Sequence, residues 1–172
     1  MARLPSTDAI ALLKADHRKV EHLFAQFEKA KEQSRKKTLA DQICLELSVH
    51  TKIEEDVFYP ACREDGVDAD LMNEAYVEHD GAKVLVREIE KGEPGEAYYN
   101  SQVKVLSEMI KHHVKEEEKK RGNMFARAKK AGVDTDALGR KMADEKKKLT
   151  ADYKKNGPPK PPTTTFKRTQ LA

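Results

Sequence analysis

The sequence contains no tryptophan, two cysteines and 6% aromatic residues. Cys44 and Cys62 form no Cys-x-x-Cys pair, which excludes the common thiolate zinc site. On a single helix their separation would span ~27 Å, beyond disulfide reach, so both read as reduced thiols. No run of about 18 apolar residues exists, so the chain offers no candidate transmembrane helix. The opening "MARLPSTDAI" lacks the apolar core of a secretory signal. The expected location is the cytoplasm, with no membrane partner.

A general surplus of positive charge is missing as well. The formal net charge of +3 comes from one end: from Lys154 onward there are five basic residues and no acid, so residues 1–153 carry 28 basic against 30 acidic groups. A body with a balance of −2 has no basic footprint for nucleic acid, and none is expected as a partner.

What is present is 38% hydrophobic and 37% charged residues, the mixture of amphipathic helices with solvated outer faces, in a length that suits one domain. Pro5 and Ser6 read as a helix start. Ile10, Leu13, His17, Val20, Phe24 and Phe27 then recur at helical steps along the first helix. The second runs to about Arg63 with Ile43, Leu47, His50, Glu54, Val57 and Phe58 in line, and Pro60 and Gly66 help to close it. The third, about Asp68 to Lys91, aligns Met72, Ala75, His79, Ala82 and Val86. After "KGEPGE" the fourth carries Val103, Leu106, Ile110, His113 and Glu117. A polar break, "KKRGN", precedes Met124 and Phe125.

The pattern predicts an all-α fold, an up-down-up-down four-helix bundle over residues 1–132. An accessory charged helix over 133–155 should lie outside the bundle or project from it. Residues 156–172, rich in Pro and Thr and basic, should form a disordered tail, free to hold a protein partner.

Each of the four helices puts a histidine on its inward stripe: His17, His50, His79, and His113 or its neighbour His112. Glutamate follows four residues later in His17/Glu21, His50/Glu54, His112/Glu116 and His113/Glu117. With 18 Glu in 172 residues, chance would place such a Glu after fewer than one of the six histidines, yet four have it. One such pair alone is an ordinary solvated i,i+4 contact. Four imidazoles aimed into one core are costly to bury unless metal ions relieve them. Imidazole and carboxylate without thiolate suit iron, tolerate manganese or zinc, and do not favour calcium or magnesium. Because glutamates can bridge, the ligand number fits a dinuclear centre, and iron is the expected metal. His113 is preferred to His112 because Leu106 and Ile110 share its face. His22 falls on a polar face and should be exposed.

"ADHRKVEHLF", "HTKIEEDVFYP", "VEHDGAK" and "HHVKEEE", taken in this order, resemble the successive helix motifs of the hemerythrin-like, HHE cation-binding domain over roughly residues 7–130. The resemblance implies a non-haem centre of two Fe ions held by His17, His50, Glu54, His79, His113 and Glu117, with Glu54 and Glu117 as bridges. Oxygen carriers of that family have a second histidine in the third helix where this chain has Lys83. They also have a five-step His-to-Asp spacing where it has His113/Glu117. Glu21 is a candidate to replace the missing histidine. The more carboxylate-rich set weighs against simple reversible oxygen carriage. The expected function is binding, sensing or scavenging of a small diatomic ligand or peroxide, or iron handling. A di-iron oxidase or peroxide-consuming enzyme is the alternative, and a structural bundle with a tail for acidic partners is a third reading.

Overall fold

The structure, a computed structural model, describes residues 8–157 and 163–166. Pro5 and Ser6, read as the first helix start, lie outside them. The visible start is Asp8, whose side chain accepts from the Ala11 N–H at 2.8 Å and caps α1, Ala9–Lys29. α2 spans Gln33–Ile53 and α3 Tyr59–Glu64, with a π-helical turn, Glu54–Phe58, between them. α4, Ala69–Lys91, is capped by Asp68, and α5 covers Tyr99–Val114. A second π turn, Lys115–Lys119, leads to α6, Met124–Ala131, and α7, Thr135–Asn156.

The expected bundle is present. α1 packs on α2, α2 on α4, α4 on α5, and α5 returns to α1. Two apolar clusters fill it. One is centred on Phe24, Ile43, Ile89 and Leu106, the other on Leu13, Phe58, Met72 and Phe125. The histidines lie between them, so the polar layer is closed above and below by hydrocarbon. Cys44 and Cys62 fall in different clusters as free, buried thiols, and burial raises both pKa values, which makes them inert. Among the described residues, no helix is long and apolar enough to cross a membrane.

Three features depart from the expected outline. Pro60 does not close the second helix, because the extra residue of the π turn accommodates a ring that would collide with the carbonyl one turn back in a regular helix. The chain continues to Glu64, and Gly66, at φ +80°, ends it. α7 lies outside the four-helix core as expected, but it does not project. It packs along α1 and α2 and buries Met142 and Tyr153.

The third departure is in the tail. Residues 158–162 and 167–172 lie outside the described part, but Thr163–Phe166 is not free chain. The Thr164 and Thr165 backbone N–H groups and the Thr165 hydroxyl donate to Asp80 of α4, the hydroxyl at 2.6 Å. Asp80 is fully buried, and a buried carboxylate requires donors, of which its own helix supplies Lys83 at 3.4 Å and the threonine segment the rest.

Candidate metal centre

Each inward histidine comes from a different long helix: His17 from α1, His50 from α2, His79 from α4 and His113 from α5. Their Nε2 atoms converge in pairs. His17 and His50 approach to 3.2 Å, His79 and His113 to 3.3 Å. The π turns complete the set by carrying Glu54 and Glu117 into the same layer. Glu54 Oε2 lies 3.2 Å from His50 Nε2 and 3.3 Å from His79 Nε2, and so touches both pairs. Glu117 Oε2 does the same from the opposite side, 3.3 Å from His17 and 3.4 Å from His113. All six residues are at most 5% exposed.

Two four- and three-residue donor groups result, His17/His50/Glu54/Glu117 and Glu54/His79/His113, each with its donor atoms within 4.8 Å of one another. Glu54 belongs to both. At about 3.2 Å two imidazole nitrogens can hold only one proton between them, so the four Nε2 atoms and the carboxylate oxygens bring more lone pairs into the layer than protons. Glu54 Oε1 and Glu117 Oε2 are buried with no hydrogen-bond donor among the described residues. Lone pairs and carboxylate oxygens gathered in a dry layer fit cations, and the nitrogen–oxygen set without sulfur fits iron, manganese or zinc.

Protons supply part of the positive charge when no metal is bound. Burial opposes charging His50, but the Glu54 and Asp16 carboxylates outweigh it and push its pKa up to about 10. Burial and the Glu117 charge would raise Glu54, yet His50 and His79 hold it down to about 2. Burial likewise opposes charging His113, and Glu117 and Glu78 raise it well above its ordinary range.

The outer nitrogens are held as well. Nδ1 of His79 faces Glu55 at 3.0 Å, that of His113 faces Glu78 at 2.7 Å, and that of His50 faces Asp16 at 3.5 Å. Asp16 is also paired with Lys146 of α7. These three partners fix ring orientation and leave Nε2 for the interior, whereas His17 Nδ1, 3.7 Å from Glu118, has no hydrogen-bond partner among the described residues.

The structure therefore brings together His17, His50, Glu54, His79, His113 and Glu117. It does not bring Glu21 or His112. Glu21 is drawn outward by Arg18 at 3.0 Å and Lys119 at 3.5 Å, and α1 has no π turn after His17 to redirect it. His112 is 58% exposed and faces Glu78. His22 is exposed as expected. Lys83 is turned away from the cluster, toward Glu55 at 2.7 Å and Asp80 at 3.4 Å.

The residue that sequence reasoning missed is Tyr59. Its hydroxyl donates to Glu117 at 2.8 Å and lies 3.3 Å from both Glu54 Oε2 and His79 Nε2. It follows Glu54 by five residues, the repeat of a π turn, whereas a four-residue spacing search stops at Phe58. Phe125 does recover the inner face across the break at Gly122. Its ring stacks on His17 at 6.0 Å between centroids, with 9° between planes.

Comparison with known proteins agrees with this geometry. Residues 8–125 match the family model described as the hemerythrin HHE cation-binding domain. The crystal structure of a hemerythrin HHE cation-binding domain-containing protein from Mycobacterium kansasii superposes with a TM-score of 0.72 at 21% identity, covering 87% of this chain and 94% of that one. That likeness carries the fold. A protein from Nostoc sp. (strain PCC 7120) named DNA nickase is 28% identical over 107 residues, 62% of this chain but 30% of that protein, so the chain spans less than a third of that relative's length.

Proposed function

The chain belongs to the hemerythrin HHE cation-binding family, and from that premise we propose that its buried cluster holds two non-haem iron ions in the cytoplasm and meets dioxygen, peroxide or nitric oxide there. The observation that carries this reading is the pair of imidazole couples joined by Glu54, with orphaned carboxylate oxygens between them. His17 and His50 would hold one ion, His79 and His113 the other, and Glu54 and Glu117 would span both. Bound iron would supply redox and Lewis-acid chemistry toward such ligands.

The protein's own groups then shape what happens. Tyr59 puts a phenol oxygen beside His79 and a hydroxyl proton on Glu117. Lys83 contributes no nitrogen to the centre, because Glu55 and Asp80 engage its ammonium. Phe58 and Phe125 pack edge to face beside the layer and exclude water from it. Two carboxylates and a phenol oxygen beside four imidazoles supply hard oxygen donors, which favour ferric over ferrous iron and support oxidation in air over reversible carriage.

The test is anaerobic loading with Fe(II), iron analysis, and visible spectra through repeated cycles of air and vacuum. About two iron ions per chain and no return to the ferrous spectrum are expected, in line with dinuclear carboxylate bundles. Full return over many cycles would make carriage the function, and a chain without iron after loading would remove the centre. His50→Ala should lose most of the iron. Turnover of many equivalents of peroxide or Fe(II) would mark the protein as an enzyme.

A further inference from the structure

A second donor cluster lies on the outer face of the bundle, where α4 meets α5. Glu74 and Glu78 stand one turn apart on α4, and His112 reaches them from α5. Their donor atoms all lie within 4.8 Å of one another. His112 Nε2 is 3.2 Å from Glu78 Oε1. The other oxygen of the same carboxylate, Glu78 Oε2, is 2.7 Å from His113 Nδ1. One carboxylate therefore touches the outer cluster with one oxygen and an inward histidine with the other. Beside it a cavity of about 320 Å³, lined by Glu78, Val105, Glu108, Met109 and His112, leaves room for water ligands.

We propose that Glu74, Glu78 and His112 form an outer site for a hydrated divalent cation such as Fe(II), Mn(II) or Zn(II). One imidazole and two carboxylates suit these borderline ions better than calcium, and two negative charges match the charge of one ion. Three protein donors leave the remaining positions to water, so the ion exchanges readily. Lys120, a cation within electrostatic reach of Glu74, is engaged by Glu116 at 2.9 Å.

The position gives the site a task. The inner donors are at most 5% exposed, whereas Glu74 and His112 face solvent. An ion arriving from water can shed part of its shell at Glu74 and His112 while Glu78 leads to the wall of the centre. The outer site is thus the loading stage for the buried one. This task rests on the iron reading of the inner cluster; the cation site itself does not.

Two measurements on the full chain separate these points. Mn(II) is titrated onto iron-loaded protein and onto metal-free protein, and the loss of the free-ion paramagnetic signal is read. One Mn(II) per iron-loaded chain is expected in the native protein and none in Glu74→Gln/His112→Gln, which keeps Glu78 and alters only exposed side chains. Equal Mn(II) binding by native and double variant, or none by either, overturns the site. Fe(II) uptake is then followed in time. The double variant should fill about tenfold more slowly, at the low end of the effect of removing groups beside metal ligands, and reach the same final iron content. Equal uptake rates overturn the loading role. If the chain takes up no iron at all, Mn(II) bound by metal-free native protein and lost in the double variant still identifies the outer site.

Discussion

At the scale of single residues the centre turns on a few atoms. Tyr59 is fully enclosed, and burial together with the Glu117 and Glu54 charges raises its pKa well above the ordinary value, so it stays a neutral donor. Tyr59→Phe removes the proton held on Glu117 and leaves that carboxylate short of a donor. Metal-free protein should lose about 1–3 kcal/mol in urea unfolding, and the iron-loaded variant should show an altered visible spectrum. An unchanged denaturation midpoint and spectrum would mean that the hydroxyl serves neither state. The two adjacent histidines of α5 separate equally sharply. His113 is buried in the cluster and His112 is 58% exposed, so His113→Gln should lose iron and His112→Gln should keep it. The reverse ranking would mean that α5 is rotated by one residue.

Elements contribute through their packing more than through their own sequence. Half of the residues of α7 are charged, yet it lays Met142, 0% exposed, against the apolar cluster and brings Lys146 to Asp16, the partner of His50. Met142→Ala should cost about 2–5 kcal/mol by cavity formation, measured by urea unfolding, while the folded fraction still binds iron. A cost below 1 kcal/mol would mean that α7 is only loosely applied. The segment Thr163–Phe166 acts in a similar way on Asp80. Ending the chain before Thr163 removes these donors and opens the carboxylate to water, which replaces them in part. Circular dichroism should show unchanged helix content, with stability lower by about 1–3 kcal/mol and iron retained. If stability is unaffected, the threonine contacts carry no energy.

Over the whole molecule, metal, protons and folding are linked. Without metal, the raised His50 pKa stabilises the fold fully below the ordinary value of 6.5, and this contribution is lost as pH rises through about 10. The depressed Glu54 pKa acts in the other direction. Its contribution is present above the ordinary 4.5 and is lost as pH falls through about 2. Metal-free protein should therefore lose stability on the alkaline side, and iron, which takes the place of the imidazole proton, should remove that loss. For the same reason loading at neutral pH releases protons, and apparent iron affinity should rise about tenfold per pH unit for each proton displaced. Competition with a chelator at several pH values measures the slope. A flat profile would exclude His50 and His113 as ligands.

The sequence by itself determined the four amphipathic helices and the inward stripe that each histidine shares with its hydrophobic neighbours, while the set of six converging residues came from the family resemblance, beside Glu21 and His112 as further candidates. Helical periodicity is local information, and a side chain's phase on its own helix can be counted from nearby residues. The partners across helices could not be counted that way. Asp16, Glu55 and Glu78 carry no local signal, because each meets an imidazole Nδ1 only when α1, α2, α4 and α5 are brought together. Tyr59 depended on a π turn that a regular period does not contain. Glu21 has the same spacing from His17 as Glu54 has from His50, but the cations of Arg18 and Lys119 draw it outward. Lys83, which by phase lies near the histidine cluster, is held by Glu55 from the π turn after α2 and by Asp80 of its own helix. Asp80 is in turn enclosed by threonines more than eighty residues later in the chain. Only the tertiary structure decided these, because burial and the charge of distant neighbours, rather than local spacing, set where a polar side chain comes to rest.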